Sequence, residues 1–141
     1  MAVLGNSRKA YITIGSSGTP TTWLSGEQTN SFNRTAEAIE VSDKSTDWAQ
    51  FIAGKKGATA EITVYTDDTS NGAQYNAIKA LHNGSEVRVF IGTLSGSSPS
   101  QGDVFTGIVT AVSDTNDNGA VASRSISITA TGAVSHYPSL S

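Results

Sequence analysis

Apolar and polar positions alternate along this chain in short runs, separated by clusters of turn-forming residues. Ala10, Ile12 and Ile14 alternate with Tyr11, Thr13 and Gly15, the period-two pattern of a strand with one buried face. Ser16 to Thr22 is a turn region rich in Gly, Ser and Thr, and Trp23-Leu24 follows as a short apolar pair. Gln28 to Thr35 is polar apart from Phe32, so it is either a loop or a strand with water on one face. Ile39 and Val41 then alternate with Ala38 and Glu40, and Ser42 to Lys56 reads as a long excursion anchored by Trp48, Phe51 and Ile52. The clearest strand sets Ala58, Ala60, Ile62 and Val64 on one face and Thr59, Glu61, Thr63 and Tyr65 on the other.

From Ala73 to His82 the spacing becomes helical, with Gln74, Ala77, Ile78 and Leu81 on one face and Tyr75 beside it. Asp67, Asp68, Thr69, Ser70 and Asn71 offer N-caps, and Gly84 supplies a C-terminal stop because it adopts left-handed backbone without a Cβ clash. Glu86 to Thr93 returns to a strand with Val87, Val89 and Ile91 inward. Val104 to Ser113 is apolar on both faces, Val104, Ile108 and Val112 on one and Phe105, Val109 and Ala111 on the other, as a central or doubly covered strand requires. The last strand turns Ile126, Ile128 and Ala130 inward, and the tail, residues 133–141, has no pattern. These elements predict one mainly β domain over residues 1–141. Its architecture is a β-sandwich or partly closed barrel of about seven strands with one packed helix.

Composition narrows the chemistry. The 141 residues contain no cysteine, which excludes disulfides, thiolate metal sites and a cysteine nucleophile. Only 15% are charged and the net charge is -3, so no basic patch grips phosphate from outside. Met1 to Arg8 lacks the apolar core of a signal peptide and no stretch has the length of a membrane span, so a soluble chain that is not exported is expected.

Asp114 to Gly119 matches the first half of a calcium loop, but Ser125 stands where the bidentate Glu belongs and strands flank it, so it reads as a solvated connection. His82 and His136 lack carboxylate partners at metal spacing, and Asp67-Asp68 reads as a capping pair. No nucleophile-and-base set, metal set or phosphate loop is present, so neither an enzyme nor a cofactor is expected. Lys55-Lys56 reads as a solvated turn that in an assembly would pair with Asp43 or Asp47 of a neighbour.

The order of these features resembles a known family. Ile12-Thr13-Ile14-Gly15, Trp23-Leu24, the segment Ala38 to Ser45, Trp48, Phe51-Ile52-Ala53-Gly54, a strand, one helix and a terminal hairpin ending Ser127-Ile128-Thr129-Ala130 succeed one another. This sequence of parts is similar to the major tail tube protein of siphophage-type tails, also found in gene transfer agents. The resemblance covers Met1 to Ala133; Ser42-Asp43 stands where a Thr-Thr pair is frequent, and the tail is unmatched.

The family implies a subunit of hexameric rings stacked into a virion tail, assembled in the host cytoplasm. Double-stranded DNA passes through the tube without specific binding. The further partners are a tape measure protein in the lumen and terminator and tip proteins at the tube ends. The N-terminal arm, residues 1–8, and the 42–56 loop would then reach between subunits. Asp43, Lys44, Asp47, Trp48, Phe51, Lys55 and Lys56 are the contact candidates, although Trp48 and Phe51 would equally serve as pins into their own core. Glu37 and Glu40 are candidates for a lumen wall that repels phosphate. Two other readings stay open: a tube from a contractile tail or type VI-like system, and a β-sandwich carbohydrate-binding module.

Overall fold

The computed structural model describes residues 8–15, 20, 22–45, 48–68, 70, 72–95 and 98–137. In chain order the elements are β1 (Lys9–Ile14), β2 (Glu27–Glu40), β3 (Phe51–Tyr65), α1 (Ala73–Asn83), β4 (Glu86–Ser95), β5 (Ser98–Thr115), β6 (Ser123–Ala130) and β7 (Ser135–Tyr137). The seven strands among the described residues form a single antiparallel sheet in the order β1-β4-β5-β6-β3-β2, with β7 pairing β5 beyond the end of β6. No helix among the described residues is long and apolar enough to cross a membrane.

The sheet curls without closing. Glu27 Oε1 accepts from the Ala10 N–H at 3.1 Å, and Asn30 Nδ2 donates to the Arg8 carbonyl at 3.1 Å. Side chains therefore join the two end strands, while no backbone ladder does. Trp23 bridges to Tyr11, and the Leu24 N–H donates to the Ala10 carbonyl at 3.0 Å, which seats the turn after β1 against β1 itself.

Seven strands and one helix match the sequence pattern, but the strands are partitioned differently. The polar stretch from residue 28 and the segment 38–40 are one strand, β2, because β3 runs on to Phe51 and pairs with its whole length. The expected long excursion is correspondingly shorter, spanning 41–50, and Phe51 to Lys56 is strand. The patternless tail contributes β7, whose three residues are too few to show a period.

Ile12, Ile62, Val64, Val87, Val89, Phe105, Ile126 and Ile128 are fully buried on the sheet face that α1 covers. The helix sets Ala73, Gln74, Ala77 and Ala80 against that face. Ile78 is half-buried, and Tyr75 and Leu81 are exposed, so the buried stripe is rotated from the one expected. Bulky strand side chains already fill the curl, so the helix approaches closely only through its small residues. A bulge between Val109 and Ala111 likewise shifts the alternation in β5. It moves Val112 to the core side with Phe105 and Val109, while Ile108 on the other face is 40% exposed.

Helix capping follows the sequence at one end only. Gly84 takes the left-handed conformation at φ 68 and donates to the Ala80 carbonyl, as expected. The N-cap is Gly72, with no side-chain cap. Asp67 instead accepts from Ser25 Oγ and Asp68 pairs with Arg124; Thr69 and Asn71 lie outside the described residues.

Gly92 and Gly102 face each other across β4 and β5 with the chains pinched together. A Cβ on Gly102, whose φ is +132, would lie 2.2 Å from the Ile91 carbonyl oxygen. Gly132, at φ +94, has nothing within 4 Å of its Cβ position. Gly102→Ala is therefore expected to cost about 3 kcal/mol or more, from collision added to backbone strain. Gly132→Ala should cost only about 1 kcal/mol, from strain alone. Equilibrium urea unfolding of both variants measures the difference.

Candidate functional site

Four neighbouring strands, β2, β3, β6 and the second half of β5, form a panel with two unlike faces. Register places Ser31, Glu61, Ser127 and Ala111 in one row, and Thr29, Thr63, Ser125 and Ser113 in another. Asn33, Thr59, Thr129 and Ile108 make a third. The alternate rows read Phe32, Ala60, Ile128, Val109 and Asn30, Ile62, Ile126, Val112, and they face the core. Phe32 stacks on Phe105 with ring centroids 5.0 Å apart, holding β2 to the core side. The outward face is thus almost wholly hydroxyl, amide and carboxylate, and the residues of β2 and β3 on it are exposed except for half-buried Thr63.

Both lateral edges of the panel are unpaired among the described residues. β2 ends the strand order, and beyond Asn30 no described strand pairs with its outer side. β5 pairs with β4 only as far as Ile108, so 109–115 has no strand on that side. Such edges present rows of free N–H and C=O groups, templates for another chain.

At one end β2 and β3 run on together as a hairpin. β3 leaves β6 at Thr59, and residues 51–58 project beyond it with β2 as their sole partner strand. The Val41 N–H donates to the Gln50 carbonyl at 2.8 Å and the Gln50 N–H to Ser42 Oγ at 2.6 Å, closing the base of the tip loop. Asp43 accepts from the Ser45 hydroxyl and N–H, bonds that hold its carboxyl below the usual range.

Trp48 is 85% exposed, Phe51 57% and Ile52 54%, so neither aromatic pins the hairpin to its own core. Lys44, Lys55 and Lys56 are exposed, and Asp47 lies outside the described residues. Glu37 lies with Ile39 beside Gly54 on the polar face, whereas Glu40 pairs across from Phe51 on the opposite one. The N-terminal arm up to residue 7 and the last residues, 138–141, lie outside the described residues as well.

Two polar clusters escaped the sequence reading. Arg124, on β6 with 6% side-chain exposure, donates through Nε to Asp114 at 2.6 Å, through one terminal nitrogen to Gln74 Oε1 at 2.9 Å and through the other to Asp68 at 3.1 Å. Gln74 in turn donates to the Ser25 and Tyr65 carbonyls at 2.8 and 2.9 Å and accepts from the Asp67 N–H. Burial works against the Arg124 charge, but the bonds to Asp114 and Asp68 outweigh it and raise its pKa. Asp114 is thus committed to an ion pair inside the calcium-like motif, and no group of three metal-ligating side chains occurs among the described residues.

The second cluster is Asp103, 4% exposed, whose Oδ1 takes Arg34 and His136 Nδ1, each at 2.8 Å. It ties the start of the hairpin to β7. A groove of about 450 Å³ beside it is lined by Arg34, Lys56, Gly57 and residues 132–134. The first cluster had a signal, since Arg124 occupies an inward position two residues before Ile126. The second had none, because β7 is three residues long.

Arg124→Ala is expected to cost about 1–3 kcal/mol, because Gln74 loses a buried hydrogen bond while Asp114 and Asp68, 44% and 76% exposed, return to water. Lys79→Ala on the exposed side of α1 should stay within about 0.5 kcal/mol. Chemical denaturation of the two variants makes the comparison.

No family model matches the sequence, and no curated protein matches it. Solved structures do. A chain from the tail of an empty gene transfer agent particle, refined with C6 symmetry, is similar at a TM-score of 0.80 and 16% identity, over 96% of this chain and 98% of that one. The SPP1 tail tube gives a TM-score of 0.67 at 15% identity, over 93% of this chain and 77% of that one. A chain of the anti-feeding prophage baseplate gives 0.65 at 10% identity, over 98% of both. The described residues, one antiparallel sheet with a single helix, curled but unclosed and carrying a projecting hairpin, have the tail tube fold.

Proposed function

We propose that this chain is the structural, non-enzymatic subunit of a phage-type tail tube, a conduit for DNA in the virion tail. The observation that carries the reading is the panel: four strands, one polar face, one face on the core, and a free edge on each side. Copies set side by side pair the β2 edge of one with the 109–115 edge of the next and close a continuous barrel, which covers both free edges of the panel. Six copies fit the C6 symmetry of the gene transfer agent tail.

The polar face then lines the lumen. Glu61 and Glu37 are the carboxylates on it, so Glu61 joins Glu37 as a wall residue, and Glu40 is turned away. A ring of six would carry -18, six times the chain's -3, and the wall offers DNA no cluster of cations. The lumen would hold a tape measure protein until DNA passes, and terminator and tip proteins would cap the ends.

The hairpin would join successive rings. Burying an exposed Trp48, Phe51 or Ile52 stabilises by about 1.5–3 kcal/mol each, whereas rim pairs of Lys44, Lys55 or Lys56 with carboxylates mainly fix register. The similarity to the anti-feeding prophage chain supports a second reading, a tube of a contractile injection system, built from the same panel.

Negative-stain microscopy of concentrated protein should show hollow rings or tubes. A protein that stays monomeric at every concentration and binds glycans would contradict the proposal. Glu37→Lys with Glu61→Lys should leave tubes intact but make them retain double-stranded DNA at low salt and release it at high salt, as a filter-retention assay would read. Wild-type tubes should retain none.

A further inference from the structure

We propose that Asn118 is a site of spontaneous deamidation, a self-modification in which the loop between β5 and β6 turns an amide into a carboxylate with water as the only co-reactant. The site does not depend on the tube reading.

Asn118 and Gly119 are exposed, and they are the two central residues of a turn in which the Ala120 N–H donates to the Asp117 carbonyl at 3.2 Å. Gly119 has φ +83 and nothing within 4 Å of the position a Cβ would take. Among the described residues nothing hydrogen-bonds to its N–H or to the Asn118 side chain. That N–H is therefore free to lose its proton to water, and no side chain on the glycine obstructs its approach to the neighbouring amide.

The deprotonated Gly119 nitrogen attacks Asn118 Cγ. A bond forms between them, the bond from Cγ to the side-chain nitrogen breaks, and that nitrogen takes up a proton and leaves as ammonia. The chain then carries a five-membered succinimide. One water molecule opens the ring at either carbonyl and yields aspartate or isoaspartate, the latter continuing the backbone through the former side chain. Either product makes the chain one charge more negative than its -3, beside Asp117 in the loop.

A second Asn-Gly pair supplies the contrast. Asn83 ends α1, and Gly84 donates its N–H to the Ala80 carbonyl. This nitrogen is committed to the helix cap, so the last turn must open before it can attack. The same dipeptide is thus reactive in one place and held in the other.

Peptide mapping of the folded chain aged in mildly alkaline buffer, with fragment ions locating each acid, should find aspartate and isoaspartate at 118. Conversion at 83 should be slower by about tenfold or more. The isoaspartate should accept a methyl group from S-adenosylmethionine when an isoaspartyl methyltransferase is added. Unfolding in guanidinium chloride should bring the rate at 83 up to that at 118. Gly119→Ala should slow conversion at 118 by about tenfold or more, because its methyl group obstructs the attack. Asn118 that keeps its amide in the folded chain while converting in guanidinium chloride overturns the proposal. Equal conversion at 83 and 118 in the folded chain overturns it as well.

Discussion

A guanidinium removed from water is destabilising unless its donors find acceptors, and Arg124 finds three from three separate segments. Asp114 closes β5, Gln74 opens α1, and Asp68 lies between β3 and the helix. Through Gln74 the same node reaches the carbonyls of Ser25 and Tyr65, which border the start of β2 and the end of β3. Every strand of the panel is therefore tied at one end to one buried polar cluster, and the helix is fixed to the sheet by hydrogen bonds that its small alanines do not supply.

The panel's two free edges are what the proposed assembly would cover. An isolated sheet blunts its edges with charge, proline or short strands. Here β2 runs 14 residues with neutral Ser, Thr and Asn along much of its length, and no proline interrupts β2 or the 109–115 stretch. Neutral, hydrogen-bonding edges are compatible with close pairing to another copy. In the proposed tube the hairpin would add a second direction: pairing across edges would close a ring, and the projecting tip would extend it along the strands. Lateral contact would be made by backbone and axial contact by side chains, so the two could be perturbed separately.

Much of this was legible in the residues. The strand Ala58 to Tyr65, the helix with its Gly84 stop and the last strand follow directly from periodicity, because each is long enough to show several repeats. The hairpin was half hidden, since Lys55-Lys56 and Gly54-Gly57 look like a turn until β2 is seen to run beside them. Residues 28–35 lacked a period of apolar groups because only Phe32 reaches the core, which is what a strand with a solvated face and a free edge looks like. The clusters around Arg124 and Asp103 depend on segments far apart in sequence, and no local pattern encodes such distances.

Edge-to-edge closure of the panel with its copies is tested most directly by amide hydrogen exchange compared between monomer and assembly. Closure requires that backbone amides along the outer side of β2 beyond Asn30 and along 109–115 of β5 become protected together on assembly, while β1 changes little. An assembly in which both edges continue to exchange as they do in the monomer would contradict the account.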